Sequence, residues 1–182
     1  MNTKYIIKNY LYFLIYIFIL YHSVVGKIFP IPKSLKTIVE FWKKIYTEVS
    51  LSEGLLHDRE YPLIIYKKVS NVPMFGKHRT RIITREKEKI KILLKNISIK
   101  PASSRTDQEK YIVKLFQKYA PKSAIVTAKN RLRFQQGQRE RFIEGLYRSG
   151  AYIDSIKTIM SQYNIPVRLA YLPHVESYST KQ

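Results

Sequence analysis

Apolar residues recur every three or four positions along most of this chain, a spacing that predicts a mainly helical fold. From Lys33 to Val49, Ile38, Phe41, Trp42, Ile45 and Val49 alternate with Lys36, Lys43, Lys44 and Glu48, an amphipathic helix opened by Ser34 after Pro32. A second helix is expected from Arg85 to Asn96 on the pattern Ile90, Leu93, Leu94, Ile97. A third starts at Thr106, because Thr106-Asp107-Gln108-Glu109 spells a capping box. The hydroxyl accepts an orphan backbone N–H and the glutamate reaches back to the cap. Tyr111, Ile112, Leu115, Phe116 and Tyr119 form its apolar face, and Pro121 stops it. The basic stretch from Lys122 through Arg133 is read as helical too.

Towards the C-terminus, Arg139 to Ser149 carries Phe142, Ile143, Leu146 and Tyr147 on one face, with Gly150 expected as a left-handed cap. Ala151 to Tyr163 follows, ending at Asn164, and Pro166 opens a last helix holding Leu169, Leu172, Val175 and Glu176. Pro173 is expected to bend it. Only Leu63-Ile64-Ile65-Tyr66 reads as a strand, and Ser70 to Lys77 reads as a loop. Trp42 is expected to anchor the core. His57-Asp58 is expected to be a structural turn, because neighbours on a strand point to opposite faces and make a poor acid–base pair.

The pattern changes character at the start of the chain. Tyr10 to Tyr21 is uninterrupted apolar and aromatic, preceded by Lys4 and Lys8 and followed by His22-Ser23-Val24-Val25-Gly26. At about 1.5 Å of rise per residue, this run reaches about 18 Å against a hydrocarbon core of about 30 Å. It fits a secretory signal cleaved after Gly26, or an uncleaved anchor extended to Val25. Residues 1–26 are thus expected to be a signal peptide or membrane anchor. The rest would be exported, periplasmic or membrane-associated at the cell envelope.

Composition narrows the chemistry. The chain has 182 residues, a formal charge of +20, 45% apolar residues and no cysteine. Wholesale disorder is excluded, as are disulfides, cysteine-based zinc sites and a lipidated cysteine. The 4 histidines are too scattered for a metal-ligand spacing. Such basicity reads either as compositional drift, in a chain rich in Lys, Ile, Tyr, Asn and Phe and poor in Gly, with a weak general attraction, or as a site for an anionic partner. Export turns that expectation away from nucleic acid and towards anionic membrane or wall polymer.

The run Arg131-Leu132-Arg133-Phe134-Gln135-Gln136-Gly137-Gln138-Arg139-Glu140-Arg141-Phe142 leads through Gly145-Leu146-Tyr147-Arg148-Ser149-Gly150 to Tyr163-Asn164-Ile165-Pro166-Val167-Arg168-Leu169-Ala170-Tyr171-Leu172-Pro173-His174-Val175-Glu176-Ser177. This stretch resembles the membrane-bound lytic murein transglycosylases of the D type. The likeness extends more loosely to Phe41-Trp42 and His57-Asp58. It implies a helical N-terminal region, residues 27–130, leading into residues 131–182 as the start of a lysozyme-like, α+β catalytic domain.

The resemblance implies Glu176 as the catalytic acid and Ser177 as a substrate-binding residue, with no metal and no cofactor. His174 reads as a surface or supporting residue. The implied partner is the peptidoglycan glycan strand, cleaved at the β-1,4 bond between N-acetylmuramic acid and N-acetylglucosamine without water. A single acid suffices there because the muramoyl C6 hydroxyl is the nucleophile, whereas most glycosidases use two carboxylates. Burial of Glu176 beside Val175 would raise its pKa, as a general acid requires.

Members of that family continue with an aromatic residue, a Gly-Leu-Trp-Gln type motif and a Tyr-Asn segment that shape the sugar cleft. Here Tyr178 puts the aromatic residue one place earlier than the family pattern, and the sequence reaches Gln182 without the other two. It is therefore expected to be a truncated member with little or no activity alone. The alternative is a non-catalytic exported basic protein that binds peptidoglycan or an anionic membrane surface.

Overall fold

A computed structural model describes residues 31–176. The apolar run Tyr10 to Tyr21, the expected cleavage point at Gly26 and Ser177 lie outside the described residues. Among the described residues, no helix is long and apolar enough to cross a membrane.

The fold is helix-dominated α+β with a small three-stranded antiparallel sheet. A 3-10 turn, Lys33–Leu35, leads into α1 (Lys36–Thr47), followed by β1 (Gly54–Asp58), β2 (Ile65–Val69) and the long α2 (Gly76–Ile99). A second 3-10 turn, Ala102–Ser104, precedes α3 (Asp107–Tyr119) and the short α4 (Ala124–Thr127). The 3-10 turn Ala128–Asn130 then delivers β3 (Leu132–Gln136). Next come α5 (Arg139–Ser149), α6 (Ile153–Gln162), a 3-10 segment Val167–Tyr171 and α7 (Pro173–Glu176).

β1 is the middle strand, in the order β2-β1-β3, and every residue of it is buried. Successive side chains on a strand face opposite ways, and here each face meets its own core. Leu55 packs with Phe41, Ile45, Val49 and Leu63 on the α1 side. Leu56 packs with Ile90 and Leu94 of α2 and with Ile112 and Phe116 of α3 on the other. The sheet is thus a septum between one helix and a helix pair. At about 1.5–3 kcal/mol per large apolar side chain removed from water, these two clusters are the main source of stability.

The mainly helical expectation holds, with a β part larger than one strand. The expected strand Leu63 to Tyr66 starts later, at Ile65, because Leu63 and Ile64 form the turn that returns the chain from β1: Ile64 N donates to Tyr61 O at 2.8 Å and Asp58 N to Ile64 O at 3.0 Å. His57-Asp58 is not a turn but the end of β1, paired with Arg133 and Leu132 of β3. The helix expected through Arg133 stops at Asn130, since β1 offers a free edge that Leu132–Gln136 completes. Residues on both sides of position 131 therefore share one sheet.

The second helix begins nine residues before Arg85, at Gly76, inside the expected loop. Its N-cap, Phe75, makes no side-chain capping bond, so no capping signal marks the start. Gly76 at φ 92° turns the extended chain into the helix. The capping box is present as expected: Glu109 N donates to Thr106 Oγ1 at 3.3 Å and Thr106 N to Glu109 Oε2 at 2.7 Å.

Candidate functional site

The elements leading to Glu176 are hung on the sheet by the segment after β3. Gly137 N donates to Glu53 O at 2.9 Å, Gln138 N to Ile45 O at 3.0 Å and Arg139 N to Val49 O at 3.1 Å. Ile45 O, one of the carbonyls that the end of α1 leaves unpaired, thus receives an amide of this segment, and Val49 and Glu53, between α1 and β1, receive the other two. A Cβ at position 137 would overlap the backbone of Val49 and Ser50, so only glycine allows the approach. Glu140 Oε2 accepts Leu51 N at 2.7 Å, and Gln136 donates its amide to Leu51 O.

Aromatic contacts extend the clamp: Trp42 lies 5.8 Å from Tyr46, and Tyr46 5.3 Å from Phe142 of α5. Trp42 is 37% exposed. It is a surface rung of this ladder, not the expected core anchor, because the inward stripe of α1 passes through Phe41 and Ile45 instead.

Beyond α5 the chain turns twice. Gly150 is right-handed, at φ −52°, and not the expected left-handed cap. Its N–H bonds the carbonyls of Leu146 and Tyr147, which carries the helix past its end. Asn164, at φ 54°, takes the left-handed position after α6. Ile165 N bonds Met160 O at 2.8 Å and Asn164 N bonds Ser161 O at 3.2 Å, the paired bonds of a Schellman ending. Pro166 leads into a 3-10 segment, and the expected single last helix is divided where Pro173 restarts it as α7.

α7 is held to the end of α5 by His174, which is 8% exposed. Its Nε2 lies 2.6 Å from Ser149 Oγ, whose own hydroxyl donates to Leu146 O at 2.8 Å. The hydroxyl proton is therefore spent, so Nε2 is the donor of its bond to Oγ. Nδ1 is buried with no partner among the described residues. His174 is thus a buried support, with the Tyr171 ring 6.0 Å away and Lys157 Nζ 5.1 Å from that ring's centroid. Glu176 closes α7, and its side chain lies outside the description, as does all of Ser177.

A second constellation joins His57, Asp58, Tyr66 and Arg131. Asp58 is fully buried and accepts from Arg131 Nε at 3.0 Å, Tyr66 Oη at 3.1 Å, Glu60 N at 2.9 Å and Tyr61 N at 3.2 Å. Arg131 also donates to Ala124 O at 2.7 Å and to Thr127 Oγ1. Burial opposes the guanidinium's charge, but the Asp58 bond and charge outweigh it and hold the Arg131 pKa above its ordinary value. Burial, then the Asp58 charge, pushes the Tyr66 phenol well up. Burial lowers the pKa of His57, whose Nδ1 meets Asp58 O at 2.9 Å while its buried Nε2 has no partner among the described residues. With its oxygens engaged by four donor groups, Asp58 is a structural carboxylate.

Among the described residues, no group of three or more His, Cys, Asp or Glu side chains could hold a metal. Sequence reasoning missed one charged feature: a cavity of about 390 Å³ whose lining includes Arg59, Arg79, Lys87 and Arg133. Arg79 lies between the expected loop, ending at Lys77, and the helix expected from Arg85, and the alternation Leu132, Phe134, Gln136 was the signal for the strand that carries Arg133. The chain matches no protein-family model, no curated protein and no solved structure.

Proposed function

We propose that this chain carries the acid-bearing segment of a peptidoglycan lytic transglycosylase, with Glu176 as general acid. The observation that carries this reading is the run Leu169-Ala170-Tyr171-Leu172-Pro173-His174-Val175-Glu176-Ser177. It is supported by the setting of that run, since buried His174 ties the short helix ending in Glu176 to α5.

The chemistry needs one carboxyl group. Glu176 as the acid gives its proton to the oxygen bridging N-acetylmuramic acid and N-acetylglucosamine, and the C1–O bond breaks. Its carboxylate then takes the proton of the muramoyl C6 hydroxyl as that oxygen closes on C1. The product is a 1,6-anhydro sugar and the acid is regenerated. Ser177 is proposed to contact the substrate, and the exported, envelope-associated location belongs to the same reading.

Within these 182 residues neither of the segments that place the sugar, the Gly-Leu-Trp-Gln motif and the later Tyr-Asn, follows Glu176. Positioning and electrostatic preorganisation are large parts of enzymatic rate enhancement, so little turnover is expected from these residues alone. The test is digestion of purified murein sacculi by this chain fused to a segment bearing those motifs. Anhydro-muropeptides should form, and Glu176→Gln should lower the rate by about 10²–10⁴-fold, the usual worth of a general acid. An undiminished rate in Glu176→Gln would overturn the assignment.

A further inference from the structure

We propose that the cavity between α2 and β3 is a binding site for a phosphate-type dianion, either a free phosphoryl compound or a phosphomonoester lipid headgroup. The proposal is independent of the role given to Glu176. To this cavity α2 brings Arg79 and Lys87, β3 lines it with Arg133 and Phe134, and Arg59, the residue after β1, completes it. Arg133 pairs with His57, so its side chain leaves β3 on the α1 face, and the cations counted for the site are Arg59, Arg79 and Lys87. Arg79, Ile83 and Lys87 are four residues apart, so they lie along one stripe of the helix. Asn130 adds an amide at the rim.

Every charged side chain lining the cavity is cationic. Arg131 also lines it, but its charge is taken by Asp58 at 2.9 Å. Arg59, Arg79, Lys87 and Arg133 have no carboxylate within ion-pair distance among the described residues. The neighbouring cavity around Lys67, Lys68 and Arg85 differs. There Glu86 lies 2.8 Å from Lys67 and 3.4 Å from Arg85, and Glu53 lies 2.8 Å from Lys68. Lys67, Lys68 and Arg85 are thus paired there, with Arg81 the one cation of that lining without a carboxylate among the described residues, whereas between α2 and β3 four cations lack one.

Arg79 is also held in place. Its Nη2 donates to Gln136 Oε1 at 3.2 Å, and its guanidinium carbon sits 5.4 Å from the centroid of the Phe134 ring. Gln136 is 8% exposed and its amide nitrogen donates to Leu51 O and Val72 O, which leaves its oxygen facing Arg79. Arg79 Nε is buried with no hydrogen-bond partner among the described residues. A planar guanidinium fixed in advance, with a donor unspent, suits bidentate recognition of an oxyanion. Arg59, Arg79 and Lys87 outnumber the two oxygens of a single carboxylate. A doubly charged phosphoryl group, with three terminal oxygens, matches them better and relieves their mutual repulsion.

Isothermal titration of the full chain with inorganic phosphate at constant chloride tests the site. Saturable one-site binding is expected, weakened by about tenfold or more in Arg59→Gln/Arg79→Gln through loss of charge-assisted bonds. The control Lys114→Gln/Lys122→Gln removes the same charge from exposed positions and should bind as the parent chain does. Lys87→Gln, which leaves the Gln136 and Phe134 contacts intact, should weaken binding without altering the melting temperature. It keeps the test decisive if the double variant misfolds. Absence of saturable binding, or equal weakening in the control, overturns the proposal. Co-sedimentation with phosphatidic acid vesicles in phosphatidylcholine, lost in Lys87→Gln, identifies a lipid headgroup as the source. Phosphate binding without co-sedimentation identifies a free phosphoryl compound, and both results support the site.

Discussion

Asp58 and Arg131 have no wet alternative to each other. Asp58 is 0% exposed and Arg131 7%, so removing the cation leaves an uncompensated buried charge. Arg131→Ala is expected to cost about 3–5 kcal/mol in urea denaturation at neutral pH. A loss under about 1 kcal/mol, the range of exposed pairs, would contradict it. The sequence offered both residues but not their pairing: the partners are 73 positions apart, and an ion pair across such a gap leaves no spacing to read.

Glu86 shows the same limit on a helix. Lying on the inward side of α2, it is a carboxylate among apolar residues, made tolerable by Lys67 from β2 and Lys89 one turn on. Its hydrogen bond to Lys67, reinforced by Lys89, lowers its pKa from 4.5 to about 2. The unfolded chain therefore takes up this proton first as the solution acidifies. The Glu86 contribution is complete above about pH 4.5 and disappears as pH falls towards 2. His57, held neutral by burial, removes stability earlier, as pH falls below its ordinary 6.5. Melting temperatures of Glu86→Gln across this range should show a flatter acid limb below pH 4.5 and an unchanged slope between 6.5 and 4.5. A parallel displacement of the whole curve would contradict the assignment.

At the scale of elements, periodicity located the helices whose buried stripe is their own, such as α1 and α3. The capping box located the start of α3 because the signal is local to four residues. β3 was not legible: a strand completed by the free edge of β1 needs little apolar content of its own, and Arg131 to Gln136 has only Leu132 and Phe134. The N-terminal third of α2 was hidden for a similar reason. Its support comes from Phe134 and Gln136 of a distant strand, which hold Arg79.

The segment Gln136-Gly137-Gln138 stood out by resemblance, and its local role is to bring α5 onto the end of α1. Gly137→Ala sets a methyl group against the carbonyls of Val49 and Ser50. It is expected to destabilise the fold by about 1–3 kcal/mol, as overpacking does. Amide exchange should quicken at Gln138 and Arg139, whose bonds to Ile45 and Val49 would open. Unchanged protection there would contradict the clamp.

Over the whole molecule, the described residues divide into a sheet-centred body with two cores and a C-terminal run of helices with almost none. Neither α5 nor α6 contains a fully buried residue, and Ile143, Leu146, Ile156 and Ile159 are all exposed. Apolar faces left open on this scale call for a covering surface, consistent with the proposed part in a larger catalytic domain. The mainly helical class was legible because it is a sum of local periods. The three-layer arrangement was not, because it depends on which strand edges meet. Positive charge is likewise resolved by the fold into paired cations on β2 and unpaired ones between α2 and β3.

One measurement tests the central claim about Glu176 most directly: the mass of the sugar ends released from murein sacculi by the motif-bearing fusion, compared with its Glu176→Gln variant. Closure by the C6 hydroxyl predicts muramoyl ends one water lighter than hydrolysed ends, falling with Glu176→Gln. Ends carrying the added water, or anhydro ends formed equally well by the variant, would contradict Glu176 as the acid of a lytic transglycosylase.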